Sequence, residues 1–293
     1  MKKKSILLFV SVIFFAACSN DFDYEVKPID QSTHYDNVYV IMGQSNATGV
    51  AKASFLETKS PSIYAKYSAG NPKVLIACDV DTHITKTFKP VRFGFGADDG
   101  YFGPEIGMSE MIESEDPAYI IKGTWSGSCL QTQYMDYSGT KLELYNRYTS
   151  FILERLGALK DEGKNPRLRG IFWMQGESDS LNQICNTYKD AESLFIKHLR
   201  KDLNEYVYGY VNFVDAYIST KSIFWENPTV INQHKDQVAE LDEHNYCIHT
   251  NGEDENAIDL TLKSLSGEDN DAAHYDSLSM LSLGLEAGKF VIK

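Results

Sequence analysis

The sequence predicts an α/β protein built on a mostly parallel central sheet with helices on both faces. Two observations predict it. Short apolar runs of strand length, with no polar face, alternate with stretches whose apolar residues recur every three or four positions. Four polar clusters also follow apolar runs, as binding loops do beyond the carboxyl ends of parallel strands.

Val38-Tyr39-Val40-Ile41-Met42 is the first predicted strand. Lys73 to Cys78 is a second, and the β-rich stretch to Val91 reads as its hairpin partner. Ala118-Tyr119-Ile120-Ile121 is a third buried strand, and Arg169 to Met174 and Val211 to Tyr217 are two more. Tyr145, Tyr148, Ile152, Leu156 and Leu159 form one helical stripe, Tyr188, Ala191, Phe195 and Leu199 another, and Ser277 to Phe290 a closing helix. Pro104 is placed to open a further helix.

Residues 1–17 read as a signal peptide. Lys2, Lys3 and Lys4 precede an apolar run, Ile6 to Phe15, too short to span a bilayer as a stable helix. Phe15-Ala16-Ala17-Cys18 resembles the bacterial lipobox, which implies lipid on Cys18 and a periplasmic or cell-surface lipoprotein; the alternative is ordinary cleavage near Ala17. Residues 18–34, polar and acidic, read as a tether, and 35–293 as one domain. The net charge of −13 becomes −16 without the three leader lysines, which argues against nucleic-acid partners and leaves the lipid as the expected membrane contact. Cys78, Cys129, Cys185 and Cys247 have no zinc-knuckle or C-x-x-C spacing and are expected mostly as buried free thiols.

The chemistry-bearing residues lie in the clusters. Gly43-Gln44-Ser45-Asn46 follows the first strand; a serine there presents its hydroxyl on a sharp turn and its N–H at a helix start, which favours an oxyanion. Ser45 or Asn46 acting only as a helix cap is the alternative. In Asp271-Ala272-Ala273-His274 the carboxylate can reach one ring nitrogen and leave the other free to take a proton, although acidic residues near a helix start are also common. A metal set of Asp271, His274 and Asp276 lacks further ligands, so no metal is expected. Gln175-Gly176-Glu177-Ser178-Asp179 offers an amide donor in Gln175 and an orienting carboxylate in Glu177. The loop Gly123 to Ser128 has glycines that admit a close ligand or simply serve a turn at positive φ, and Glu105 is placed either to stabilise the start of its helix or to hydrogen-bond a neighbouring loop.

Gly43-Gln44-Ser45-Asn46, Phe102-Gly103-Pro104-Glu105, Gln175-Gly176-Glu177-Ser178-Asp179 and Asp271-x-x-His274-Tyr275-Asp276 occur in this order. Together they resemble the SGNH-type acetylesterases, specifically the sialate O-acetylesterase and acetylxylan esterase group (carbohydrate esterase family six). The resemblance implies a three-layer, flavodoxin-like fold, no cofactor and an acetylated carbohydrate as substrate. It implies Ser45 as nucleophile, His274 as base and Asp271 as orienting acid, with Glu177 matching a family glutamate that shares or supports that role. It places an oxyanion on the Ser45 N–H, an N–H at Gly127 and the Gln175 side chain, with Gln44, Asn46 and Glu105 in support. The chain departs from the family at Ser126-Gly127-Ser128-Cys129, where members have Gly-Gly-Thr and then tryptophan. A non-catalytic glycan-binding lipoprotein, and an SGNH enzyme acting on lipid or peptidoglycan esters, are the alternatives.

Overall fold

The computed structural model describes residues 26–113, 117–255 and 257–293. The expected leader, Cys18 and the first part of the tether lie outside the described residues.

β1 (Asp36–Gly43) runs into the single helical turn α1 (Ser45–Thr48). A two-residue strand β2 (Ala51–Lys52) leads to α2 (Ala53–Lys59) and α3 (Pro61–Ser68). The hairpin β3 (Asn71–Val80) and β4 (His83–Val91) follows, then β5 (Tyr101–Phe102), which pairs with β2, and α4 (Glu105–Ile112). Next come β6 (Ala118–Thr124), α5 (Glu143–Asp161), β7 (Pro166–Met174), α6 (Tyr188–Asp202) and β8 (Asn212–Ala216). α7 (Pro228–Ala239), β9 (Asn245–Ile248), the short α8 (Lys263–Ser266) and α9 (Ser277–Val291) complete the chain.

Seven strands form one sheet in the order β4-β3-β6-β1-β7-β8-β9, parallel except for the β4 hairpin strand. α4 and α9 pack together on one face, and α5 and α6 belong to the other layer. The fold is therefore a three-layer α/β sandwich with a mostly parallel sheet, as the sequence predicts.

β1 is central because nothing in Val38–Met42 tolerates water: all five side chains are fully buried. The predicted stripes on α5 and α6 are buried, and Phe195 of α6 meets Trp173 of β7 at 4.6 Å between ring centroids. α4 and α9 approach so closely that a Cβ on Gly284 would lie 2.2 Å from the Pro104 carbonyl oxygen. Only hydrogen fits there.

The strand order sets the position of the functional loops. From β1 the chain builds β3 and β6 on one side, then returns to build β7, β8 and β9 on the other. The loops leaving β1, β6 and β7 thus diverge beside the central strand, the topological switch point of an open α/β sheet. Two features differ from the sequence reading. Part of the expected tether lies on the domain: Lys27 donates to the Asn204 (3.0 Å) and Glu205 (2.8 Å) carbonyls, and Gly209 N–H donates to the Lys27 carbonyl (2.7 Å). α7 and the edge strand β9, which the apolar pattern did not reveal, extend the sheet beyond β8.

Candidate active site

Gly43 ends β1 at φ +138°, and a Cβ there would lie 2.0 Å from the Met174 carbonyl oxygen at the end of β7. The glycine lets two strand ends converge at a turn no other residue could make. Ser45 follows as the first residue of α1. Gln44, in extended conformation, occupies the cap position, and no side chain caps the turn, so capping is not what Ser45 or Asn46 does. The first N–H groups of a helix have no intrahelical acceptor, so the donors at Ser45 lie next to its hydroxyl.

Ser45 Oγ is 2.8 Å from His274 Nε2, and His274 Nδ1 is 2.6 Å from Asp271 Oδ2. A proton on Nδ1 satisfies both contacts: the ring donates to Asp271, and the serine hydroxyl donates to the ring. Asp271 is fixed in turn by its own loop, its Oδ1 accepting from the N–H groups of Ala273 (2.9 Å) and His274 (3.2 Å). α9 starts only at Ser277, and Asp276 caps it by accepting from Ser279 N–H (2.7 Å). Asp271 is therefore not a helix-terminal acid, and Asp276 is spent on the cap rather than on a shared metal set.

Glu177 is fully buried and does not reach the imidazole through any hydrogen bond found among the described residues. Its Oε1 accepts from Asn46 Nδ2 (2.7 Å), and Asn46 Oδ1 accepts from Tyr275 N–H (3.3 Å). This chain pins the residue after Ser45 to the residue after His274. Gln44, turned with its NH2 toward the carboxylate, donates to Glu177 Oε2 (3.1 Å).

Gln175 corrects an expectation. Its Nε2 lies 2.6 Å from Asp179 Oδ2 and 3.0 Å from the Ser128 carbonyl, which account for both amide protons. The side chain is fully buried and ties the β6 and β7 loops together, leaving no free proton for an oxyanion. Gly127 is an exposed residue of the β6 loop at φ +70°. That loop is tied to the serine turn where Trp125 N–H donates to the Gly43 carbonyl (3.1 Å), and Asp81 accepts from both Ser126 N–H (2.6 Å) and Ser126 Oγ (2.9 Å).

A family model described as carbohydrate esterase, sialic acid-specific acetylesterase, matches residues 35–292. The chain belongs to this family. Among solved structures, a protein from Arabidopsis thaliana aligns with 88% of this chain and 98% of its own at 16% identity and a TM-score of 0.62. NanS aligns with 91% of this chain and 97% of its own at 15% identity and a TM-score of 0.59. A carbohydrate acetylesterase from Xanthomonas citri is similar over 87% of this chain and 55% of its own, at 13% identity and a TM-score of 0.53. At such identities the likeness is one of fold. No curated protein matches the chain.

The electrostatics of this carbohydrate esterase separate its two acids. Burial pushes the Asp271 carboxyl up, but the Ala273 N–H, the His274 ring and Lys263 outweigh it and hold it below the ordinary carboxylate value. Burial dominates at Glu177 and raises it, despite Asn46, Lys235 and His274 pulling down. Beside His274 a cleft of about 410 Å³ is lined by Lys52, Tyr101, Lys263 and Asp269 together with the apolar Val50 and Ala97.

The roles of three supporting residues escaped the sequence reading. Lys122 is completely buried in β6, where its ammonium donates to Glu105 Oε2 (2.7 Å), the Thr48 carbonyl (2.7 Å) and the Phe95 carbonyl (2.8 Å). Glu105 Oε1 accepts from Gly103 N–H (2.8 Å), so its carboxylate bridges the Gly103 backbone and the Lys122 ammonium. The signal was present: a charge inside an apolar strand needs a partner. Lys235 of α7 donates to the Gln175 carbonyl (2.6 Å) and to Asp215 (2.7 Å) beneath the β7 loop. Asp179 accepts from Leu130 N–H (2.8 Å) besides Gln175.

Proposed function

We propose that this protein is a serine-dependent carbohydrate O-acetylesterase, in which Ser45 attacks the acetyl carbonyl and His274 carries the proton. The observation that supports the reading best is the continuous contact Ser45–His274–Asp271, at 2.8 and 2.6 Å, in a member of a carbohydrate esterase family.

As Ser45 Oγ bonds to the acetyl carbon, its proton passes to His274 Nε2. Asp271 stabilises the imidazolium through Nδ1 and keeps the ring oriented. The carbonyl oxygen becomes an oxyanion, met by the N–H donors at the start of α1 and by the backbone N–H of Gly127; each such donor is worth ~3 kcal/mol in the transition state. The tetrahedral species collapses, the C–O bond to the sugar breaks, and the sugar oxygen leaves with the proton from His274. Water then attacks the acetyl-serine with His274 again as base, releasing acetate and restoring Ser45.

Acetate release from acetylated xylan, acetylated sialic acid and a lipid ester, measured with the purified chain and with Ser45→Ala, tests the proposal. The expected result is release from one or more of the acetylated carbohydrates, lost in Ser45→Ala with an unchanged thermal melt. Full turnover by the variant, or turnover of the lipid ester alone, would falsify it. We also propose lipid attachment at Cys18, on the strength of the leader and Phe15-Ala16-Ala17-Cys18. Metabolic labelling with a palmitate analogue in a bacterial host should mark the wild-type chain and not Cys18→Ser; equal labelling of both would reject it.

A further inference from the structure

At the far edge of the sheet from the hairpin, three residues of different chemistry converge. Asp236 on α7, Cys247 on β9 and His249 just beyond β9 each present a donor atom within 4.8 Å of the other two. His249 Nε2 is 3.0 Å from Asp236 Oδ1. We propose that these three side chains bind a zinc ion, separate from the Ser45–His274 site.

Donor type is the first argument. One thiolate, one imidazole and one carboxylate suit a borderline-soft ion and not calcium or magnesium, which take oxygen ligands. Distance is the second. With zinc bonds of about 2.0–2.3 Å, tetrahedral donors lie roughly 3.3–3.8 Å apart, so the histidine–aspartate pair is already close to that spacing and the sulfur has at most about 1 Å to close.

The surrounding shell is the third argument, and it is independent of the cluster. His249 Nδ1 is 2.5 Å from Asp254 Oδ2, the carboxylate-on-imidazole arrangement that orients metal-bound histidines and raises their basicity. The ring also stacks on Tyr217, 4.3 Å between centroids, and the Tyr217 hydroxyl donates to Asp236 Oδ2, leaving Oδ1 to face the ring. Asp236 and His249 are each about a third exposed, so an ion has a route in and water can complete the fourth position.

The ion would clasp α7 to the four-residue edge strand β9. It would also steady the neighbouring loop that reaches the active site: the Tyr217 carbonyl accepts from Thr250 Oγ1 (3.2 Å) and from Tyr275 OH (3.2 Å), and Tyr275 follows His274. No step of ester hydrolysis passes through it.

Cobalt(II) is the probe, because a thiolate ligand gives it a near-ultraviolet charge-transfer band that carboxylates and imidazoles do not. Chelator-treated full-length chain should bind one cobalt per molecule with that band and tetrahedral visible bands, and zinc should bleach both. Cys247→Ser should abolish the ultraviolet band while its circular dichroism stays that of the wild type. Asp254→Asn should weaken zinc binding ~10-fold or more. Were His249 only an imidazolium clamped between two carboxylates, the wild-type chain would show no sulfur band, and that spectrum alone overturns the proposal. Persistence of the band in Cys247→Ser overturns it too.

Discussion

Two carboxylates flank the contact between Ser45 and His274, and the structure treats them oppositely. Asp271 keeps about 29% of its side chain exposed, touches the imidazole directly and is held below the ordinary carboxylate range. Glu177 has no exposure, is raised by burial and acts on Asn46 and Gln44 instead of the ring. An acid that must stay ionised beside a charging imidazole needs compensating donors, and Asp271 has the Ala273 N–H and Lys263 nearby. A buried acid bonded to amides is suited to holding two loops in register. Under the proposed mechanism the contrast divides a role the sequence leaves shared: Asp271, bonded to the ring, would orient the base, and Glu177, bonded to Asn46, would position the turns that carry Ser45 and His274.

The sharpest break of this comparison is Asp271→Asn. The amide can hold the ring but in the wrong tautomer, and it cannot stabilise an imidazolium, so kcat/KM for acetate release should fall ~10⁴-fold. Glu177→Gln leaves the ring–Asp271 contact intact and disturbs only Asn46 and Gln44, so its loss should be smaller, up to ~10²-fold, the scale of a mispositioned reacting group. Steady-state kinetics on one acetylated substrate compare the two. A larger loss in Glu177→Gln than in Asp271→Asn would reverse the assignment.

Much of the central fold is legible in the sequence because burial on both faces writes itself as uninterrupted apolar runs. Val38–Met42 and Ile171–Met174 could hardly be anything but interior strands, and both are. The edge of the sheet is not legible in that way. β9 is four residues long with a mixed burial pattern, and α7 carries Asn232, Gln233, His234, Lys235 and Asp236 in succession. Its helical stripe is thin because Asn232 and Lys235 face inward as hydrogen-bond donors, not as apolar groups. At the site, residue type was legible and direction was not. Gln175 looks like an oxyanion donor until Asp179, four residues on, turns its amide inward. Lys122 follows the apolar run Ala118-Tyr119-Ile120-Ile121 with no local sign of its partner, and Glu105 draws it into the core. Which partner a polar side chain finds across 17 or 229 residues is a property of packing, and local spacing does not encode it.

The smallest effect in the comparison is thermodynamic, and it has opposite sign at the two acids. Asp271 has a folded pKa below its unfolded value of about 3.9, so between the two the unfolded chain binds more protons. Its contribution to stability is complete above about pH 4 and is lost as pH falls through the depressed folded value. Glu177 has a folded pKa above the unfolded value of about 4.3, so its contribution is complete below that pH and is lost as pH rises through the raised value. Glu177→Gln removes the titration altogether. The variant should therefore be destabilised most below about pH 4.3, the unfolded carboxyl's value, and the gap should narrow as pH rises through the raised folded value, where the wild type must hold a buried charge or keep a proton against the pH. Asp271→Asn should show the opposite trend at the acid end, its deficit shrinking below pH 4 as the wild-type carboxylate is protonated. Urea unfolding across this range measures both. A Glu177→Gln deficit that widens with pH would mean that its charged form is the better held one, and the contrast between the two carboxylates would fail.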